Sequence, residues 1–300
     1  MITETCALEE SQGAWLDALR NLNRSPKTID VYRQCLRLLA RFAQQRGCRE
    51  PHNVTPQLLE QWRRSVIDSG LKPASLSVYL RATKGWTTWL AARGELFIDP
   101  CRDLRSPRVP PSRCGAPSPA EMLTLIESIQ PNTPVGVRDR AILETAYATA
   151  LRRTELAKLG VSDVDLERRT VRCTGKGGRD RVVPLTRKAT TWIEQYRALA
   201  RPALATGNCE NALWLNLRGR AMSGESLARM IRQRAREFGL NGVTPHAIRR
   251  ACATHLLQND AHPAQIRQLL GHVSFKHLNH YLRLGFRDLQ RAHARSRIGR

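Results

Sequence analysis

Aromatic residues make up only 5% of this 300-residue chain, although 41% of it is hydrophobic. So few rings disfavour single-strand nucleic-acid binding by base stacking on aromatic platforms. The eight cysteines (Cys6, Cys35, Cys48, Cys101, Cys114, Cys173, Cys209 and Cys252) are scattered, and no two form a C-x-x-C pair. Zinc-ligand and redox spacings are therefore missing, and free thiols in a reducing compartment account for them. No apolar run approaches the roughly 20 residues of a membrane span. The first twelve residues carry Glu4, Glu9 and Glu10, unlike the basic-then-apolar layout of a signal peptide. The expectation is a soluble cytoplasmic protein with no membrane partner. Internal repeats and low-complexity tracts are absent too.

Acidic residues are also in short supply. Asp and Glu number 26 against 49 Lys and Arg, a formal net charge of +23. That balance points to a polyanion, and with few aromatics the phosphates of duplex DNA fit best.

The first hundred residues read as helices. Ser25-Pro26 opens one, with Ile29, Tyr32, Leu36, Leu39 and Ala43 at steps of three and four before Gly47. Thr55-Pro56 opens a second, carrying Leu59, Trp62 and Val66 to Gly70. Lys72-Pro73 opens a third, with Leu76, Tyr79, Thr83, Trp86 and Leu90 before Gly94. Arg63, Arg64, Arg81 and Lys84 occupy polar positions, so a small basic helical domain is expected over 1–105. Clustered prolines and a glycine over 106–117 mark a linker. Ser118 and Glu121 then form a capping box ahead of Met122, Leu125 and Ile126, opening a second domain over 118–300. That domain reads as mostly helical, with helices from near Thr186, Ser223, Thr244 and Pro263. It has one β interruption, in which Thr170–Cys173 and Arg181–Leu185 flank a glycine-rich turn. The fold class expected is mainly α with a small β-sheet.

Cleaving a phosphodiester without a metal needs fixed cations on the non-bridging oxygens, an acid for the leaving oxygen and an in-line nucleophile. Four segments of the second domain offer these groups. They are Ala150-Leu-Arg-Arg-Thr-Glu-Leu156, Gly175-Lys-Gly177, Thr244-Pro-His-Ala-Ile-Arg249, and Leu269-Leu-Gly-His272 with Tyr281 nine residues on. Singly, each has a bland reading: Arg152 as a solvated arginine, Lys176 as a turn lysine, His272 as a buried structural histidine, Tyr281 as core like Tyr147. Four motifs in this order reverse the balance.

The ordered set resembles the tyrosine recombinases, the family that includes the Xer recombinases and phage integrases. The resemblance is close over 118 to about 285 and looser over the N-terminal domain, which is similar to the family's core-binding domain. It implies that Arg152 and Arg249 grip the scissile phosphate, that Tyr281 attacks it to leave a 3′-phosphotyrosyl bond, and that Lys176 protonates the departing 5′-oxygen. His246 is implied to assist proton transfer at the nucleophile, His272 to hydrogen-bond a phosphate oxygen, and Glu155 to brace the site. No cofactor, metal or ATP is implied. The implied partners are duplex DNA with paired inverted half-sites and further protomers in a homo- or hetero-tetramer on two sites.

Three features depart from the family pattern. Ala150 replaces the glycine often seen before Leu-Arg, Arg250 replaces a frequent histidine, and residues 273–280 lack the small-residue run of Xer proteins. Three other readings stand beside this one. A catalytically silent DNA-binding protein of the same fold predicts damage among the six site positions. A type IB topoisomerase predicts Ser-Lys-x-x-Tyr at the nucleophile. A metal-dependent nicking enzyme, suggested by His277 and His280, lacks a nearby third ligand.

Overall fold

The computed structural model describes residues 6–107, 116–175, 178–206 and 211–271. The chain forms two compact units, divided between Ser112 and Arg113.

In the first unit, α1 (Ala7–Asn21), α2 (Pro26–Gln44), α3 (Pro56–Asp68) and α4 (Pro73–Ala92) pack around Trp15, Leu36, Leu39, Leu59, Trp62, Leu80, Trp86 and Leu90. The caps explain where two of them start. Ser25 and Thr55 accept from the N–H groups of Thr28 and Leu58, and each is followed by proline at the first helical position. Of the basic residues expected on this surface, Arg63 is held by Glu60 through Nε (2.8 Å) and Nη2 (2.6 Å), and Arg64 shares the same carboxylate. These two guanidiniums hold the Glu60 carboxyl down at about 2.

The second unit is built on α6 (Pro134–Thr149), buried on nearly every side and packed by α5 (Pro119–Glu127), α8 (Arg187–Gln195), α10 (Gly224–Glu237) and α11 (Pro245–Gln258). A helix buried all round shows little amphipathic periodicity. Its buried polar groups find partners within the helix and on neighbouring segments. The Thr145 and Thr149 hydroxyls donate back to Ala141 and Thr145 carbonyls, and Asp139 takes Arg138 and, from α10, Arg234. The expected Ser118–Glu121 capping box opens α5. Short α7 (Arg153–Ala157) follows α6, and a π-turn over Tyr196–Ala200 leads into α9 (Arg201–Leu204). Last among the described residues is α12 (Pro263–Leu270), with His262 as its cap.

The β interruption is an antiparallel sheet ordered β1 (Val164–Asp165), β2 (Thr170–Thr174), β3 (Asp180–Pro184). Val171 pairs with Val183, and both are buried in the core of this unit, where α7 packs on β2 and α6 on β3. Cys173 pairs with Arg181, which places an arginine on the inward face of β3. Among the described residues, no helix is long and apolar enough to cross a membrane.

Candidate active site

The end of α6 prepares the first arginine. Ala150 adopts the left-handed conformation (φ 50°, ψ 28°), Leu151 buries, and Arg152 becomes the extended cap of α7. Glu155, one turn later, turns back on that cap. One carboxylate oxygen accepts the Arg152 backbone N–H at 2.8 Å, and the other accepts Arg152 Nη1 at 2.7 Å. Arg181 donates to the same two oxygens from β3, at 3.1 and 2.8 Å. The carboxylate of Glu155 therefore receives four donors. Its side chain is 4% exposed, against 15% for Arg181 and 36% for Arg152.

Opposite it, Thr244 caps α11, Pro245 takes the first helical position, and Arg249 follows His246 by three residues. Arg249 is buried; Nη1 donates to the Ala150 carbonyl at 2.5 Å and Nη2 to the Leu270 carbonyl at 2.6 Å. The first of these bonds ties α11 to the left-handed turn that sets Arg152.

The third wall is the C-terminus of α12, where orphan carbonyls and the negative end of the helix dipole attract cations. Three consecutive carbonyls each take a different arginine. Leu269 accepts from Arg181 Nε (3.3 Å), Leu270 from Arg249 Nη2 (2.6 Å) and Gly271 from Arg152 Nη2 (3.4 Å). Gly271 ends the helix at φ 58°, and a Cβ there would meet the Arg181 guanidinium carbon at 3.0 Å. Glycine is favoured on both counts. The lysine turn also begins here, since a Cβ on Gly175 would lie 3.2 Å from Arg181 Nη1 and 3.7 Å from Glu155 Oε1.

Three guanidiniums against one carboxylate leave the cluster positive, as an anion site must be. Burial pushes the Glu155 carboxyl up, but hydrogen bonds from Arg181 and from the Arg152 backbone and side chain outweigh it and hold the group at about 2. His246 lies below its ordinary value, through desolvation first and then through the positive charges of Arg250, Arg249 and Arg152. Both effects favour the neutral imidazole, the form able to accept a proton.

Residues 118–287 match the phage integrase family, and residues 13–94 match the phage integrase N-terminal SAM-like domain. The chain belongs to the phage integrase family. It is 35% identical over 267 residues to tyrosine recombinase XerC of Roseiflexus castenholzii, covering 86% of this chain and 85% of that one. It is 31% identical to tyrosine recombinase XerD of Pseudomonas putida, covering 93% and 94%. Among solved structures, XerA recombinase aligns with a TM-score of 0.54 at 25% identity, over 96% of this chain and 98% of that one. A lambda integrase dimer bound to a COC′ core site aligns with a TM-score of 0.72 at 17% identity, over 89% and 95%, a likeness of fold.

For this integrase-family chain, the structure brings Arg152, Glu155, His246 and Arg249 to one place. Lys176, His272 and Tyr281 lie outside the described residues, as do His277 and His280. Tyr147, expected in the core, is only half-buried, and its hydroxyl is 2.7 Å from His255 Nδ1. Arg153, beside Arg152, is partly exposed and pairs with Glu225 of α10 at 2.7 Å. Arg181 was missed by the sequence reading. The available signal was strand alternation, which gives it the same face as the buried Val183, a position usually apolar.

Proposed function

We propose that this protein is a site-specific DNA recombinase that cleaves and rejoins duplex DNA through a 3′-phosphotyrosyl link to Tyr281. One observation carries the reading: Arg152 and Arg249, 97 residues apart in sequence, are fixed on neighbouring carbonyls at the end of α12. Ten residues beyond Gly271 the chain reaches Tyr281.

In the proposed reaction Arg152 and Arg249 bind the non-bridging oxygens of the scissile phosphate, with His272 as a further donor. The Tyr281 hydroxyl attacks phosphorus while neutral His246 takes its proton. The bond from phosphorus to the 5′-oxygen breaks, and Lys176 gives that oxygen a proton. The phosphotyrosine conserves the energy of the broken linkage, so attack by a 5′-hydroxyl reseals DNA without ATP or a metal. Paired inverted half-sites and a homo- or hetero-tetramer on two DNA sites complete the proposal. A solved XerH complex of similar fold, bound to a palindromic difH substrate, supports the half-site part.

The test is a suicide duplex, nicked so that cleavage releases a short fragment and traps the adduct. In EDTA the protein should become covalently attached to the 3′ side of a specific site. Specific binding with no adduct contradicts the proposal, and relaxation of supercoiled plasmid lacking any specific site favours the topoisomerase reading.

A further inference from the structure

Arg181 has no place in the proposed reaction, yet it is packed where the Glu155 turn, the start of the lysine turn and the end of α12 meet. It lies on β3 and donates to both oxygens of Glu155, to the Leu269 carbonyl and against Gly271. The simplest role is structural, a buried counter-charge for Glu155.

The order of charges suggests more. Glu155 receives Arg152 and Arg181 together, so one negative charge is shared between two positive ones. A carboxylate held by Arg152 alone would form a one-to-one pair and cancel most of the charge that a phosphate needs to meet. With Arg181 satisfying the carboxylate from the buried side, Glu155 still fixes Arg152 through its backbone N–H and Nη1. The three-residue group keeps a net positive charge, and its most exposed member is Arg152. The depressed carboxyl of Glu155 agrees, since it stays ionised and needs both partners throughout the working pH range.

We propose that Arg181 is a positioning residue for strand cleavage: it takes up the charge of Glu155 so that Arg152 is held in place without being neutralised. The inference rests on the recombinase reading given above. It distinguishes charge from shape, because any group that restores the balance should restore the rate.

The experiment measures single-turnover cleavage of the suicide duplex by the full chain, with thermal unfolding of each variant alongside. Arg181→Met should slow adduct formation by about ten- to a hundredfold, less than the hundredfold or more expected when a preorganised charge-stabilising group is lost outright. Arg181→Lys keeps the charge without the fork and should stay within about tenfold of wild type. The deciding variant is the pair Arg181→Met with Glu155→Gln, where both members of the buried charge pair are removed. Its cleavage should recover at least about fivefold over Arg181→Met, since removing the carboxylate as well leaves the charge of Arg152 uncancelled. A pair as slow as Arg181→Met, or slower, overturns the inference and leaves Arg181 a structural residue. A wild-type rate for Arg181→Met overturns it as well. If Arg181→Met does not fold, Arg181→Lys and the pair decide by the same criteria. Failure of the wild-type protein to form any adduct would instead sink the recombinase reading.

Discussion

Lowering the pH should weaken the second unit through Glu155, by an amount the site geometry fixes. Its carboxyl is held at about 2 in the folded protein, against an ordinary value of 4.5. At about 1.4 kcal/mol per pH unit, this difference contributes roughly 3 kcal/mol to folding at neutral pH. Because the folded value is the lower one, that contribution is complete above about pH 5. It falls as the pH drops through the ordinary value and is lost near pH 2. About half of it should already be gone at pH 3. Many carboxylates titrate over this range, so the wild-type curve alone cannot isolate the residue. Glu155→Gln can. At pH 7 the variant leaves Arg181 buried without its anion, a loss of about 3–5 kcal/mol. Toward pH 3 the unfolded chain takes up a proton that the folded carboxylate still refuses, so the wild type loses its advantage over the amide. Urea unfolding of both proteins, followed by tryptophan fluorescence from pH 7 to 3, should give stability curves that converge by about 2 kcal/mol. Parallel curves would show that Glu155 is not held ionised by Arg152 and Arg181.

Ala150→Gly should change stability by less than about 1 kcal/mol. Relief of the left-handed conformation, worth roughly 1–2 kcal/mol, offsets a lost buried methyl and the greater chain freedom of glycine. Ala150→Val places a branched side chain at the same φ inside the cluster of Cys252, Ala253, Ile266 and Leu270, and should lower the melting temperature clearly. Arg249→Lys cannot span the Ala150 and Leu270 carbonyls with one nitrogen, so cleavage should slow by about a hundredfold or more while DNA binding in a gel-shift assay persists. Lys176→Ala should slow cleavage of ordinary DNA by about two to four orders of magnitude. It should be nearly normal on a 5′-bridging phosphorothiolate, whose thiolate needs no proton; absence of rescue would assign the acid elsewhere, with His246 next.

The helices most legible in the sequence are those with several local signals in agreement. α2, α3 and α4 each begin with a proline, and the glycines after them, Gly47, Gly70 and Gly94, take φ of 76°, 77° and 74°. α1 escaped because its cap is Cys6, which makes no side-chain cap bond, and because Gln12 falls among its buried apolar positions. α6 gave little helical periodicity for the opposite reason, being buried all round with Arg138, Asp139 and Glu144 inside. At the site, Arg152, His246 and Arg249 could be placed because their motifs coincide with helix starts. Arg181 could not, since exposed Val182 and buried Val183 read together as an ordinary β run. The substitution at Ala150 also became intelligible only in three dimensions. A left-handed cap favours glycine, while the surrounding apolar cluster rewards a methyl group.

The central claim is that the covalent link forms on Tyr281, and peptide mapping of the trapped adduct tests it most directly. The suicide duplex is cleaved in EDTA, its DNA is trimmed by nuclease to a nucleotide remnant, and the protein is digested with trypsin. The account predicts the remnant's mass on the peptide spanning residues 277–283, localised by fragmentation to Tyr281, with no adduct from Tyr281→Phe. A remnant on another residue, or an adduct that survives in the Phe variant, would contradict it.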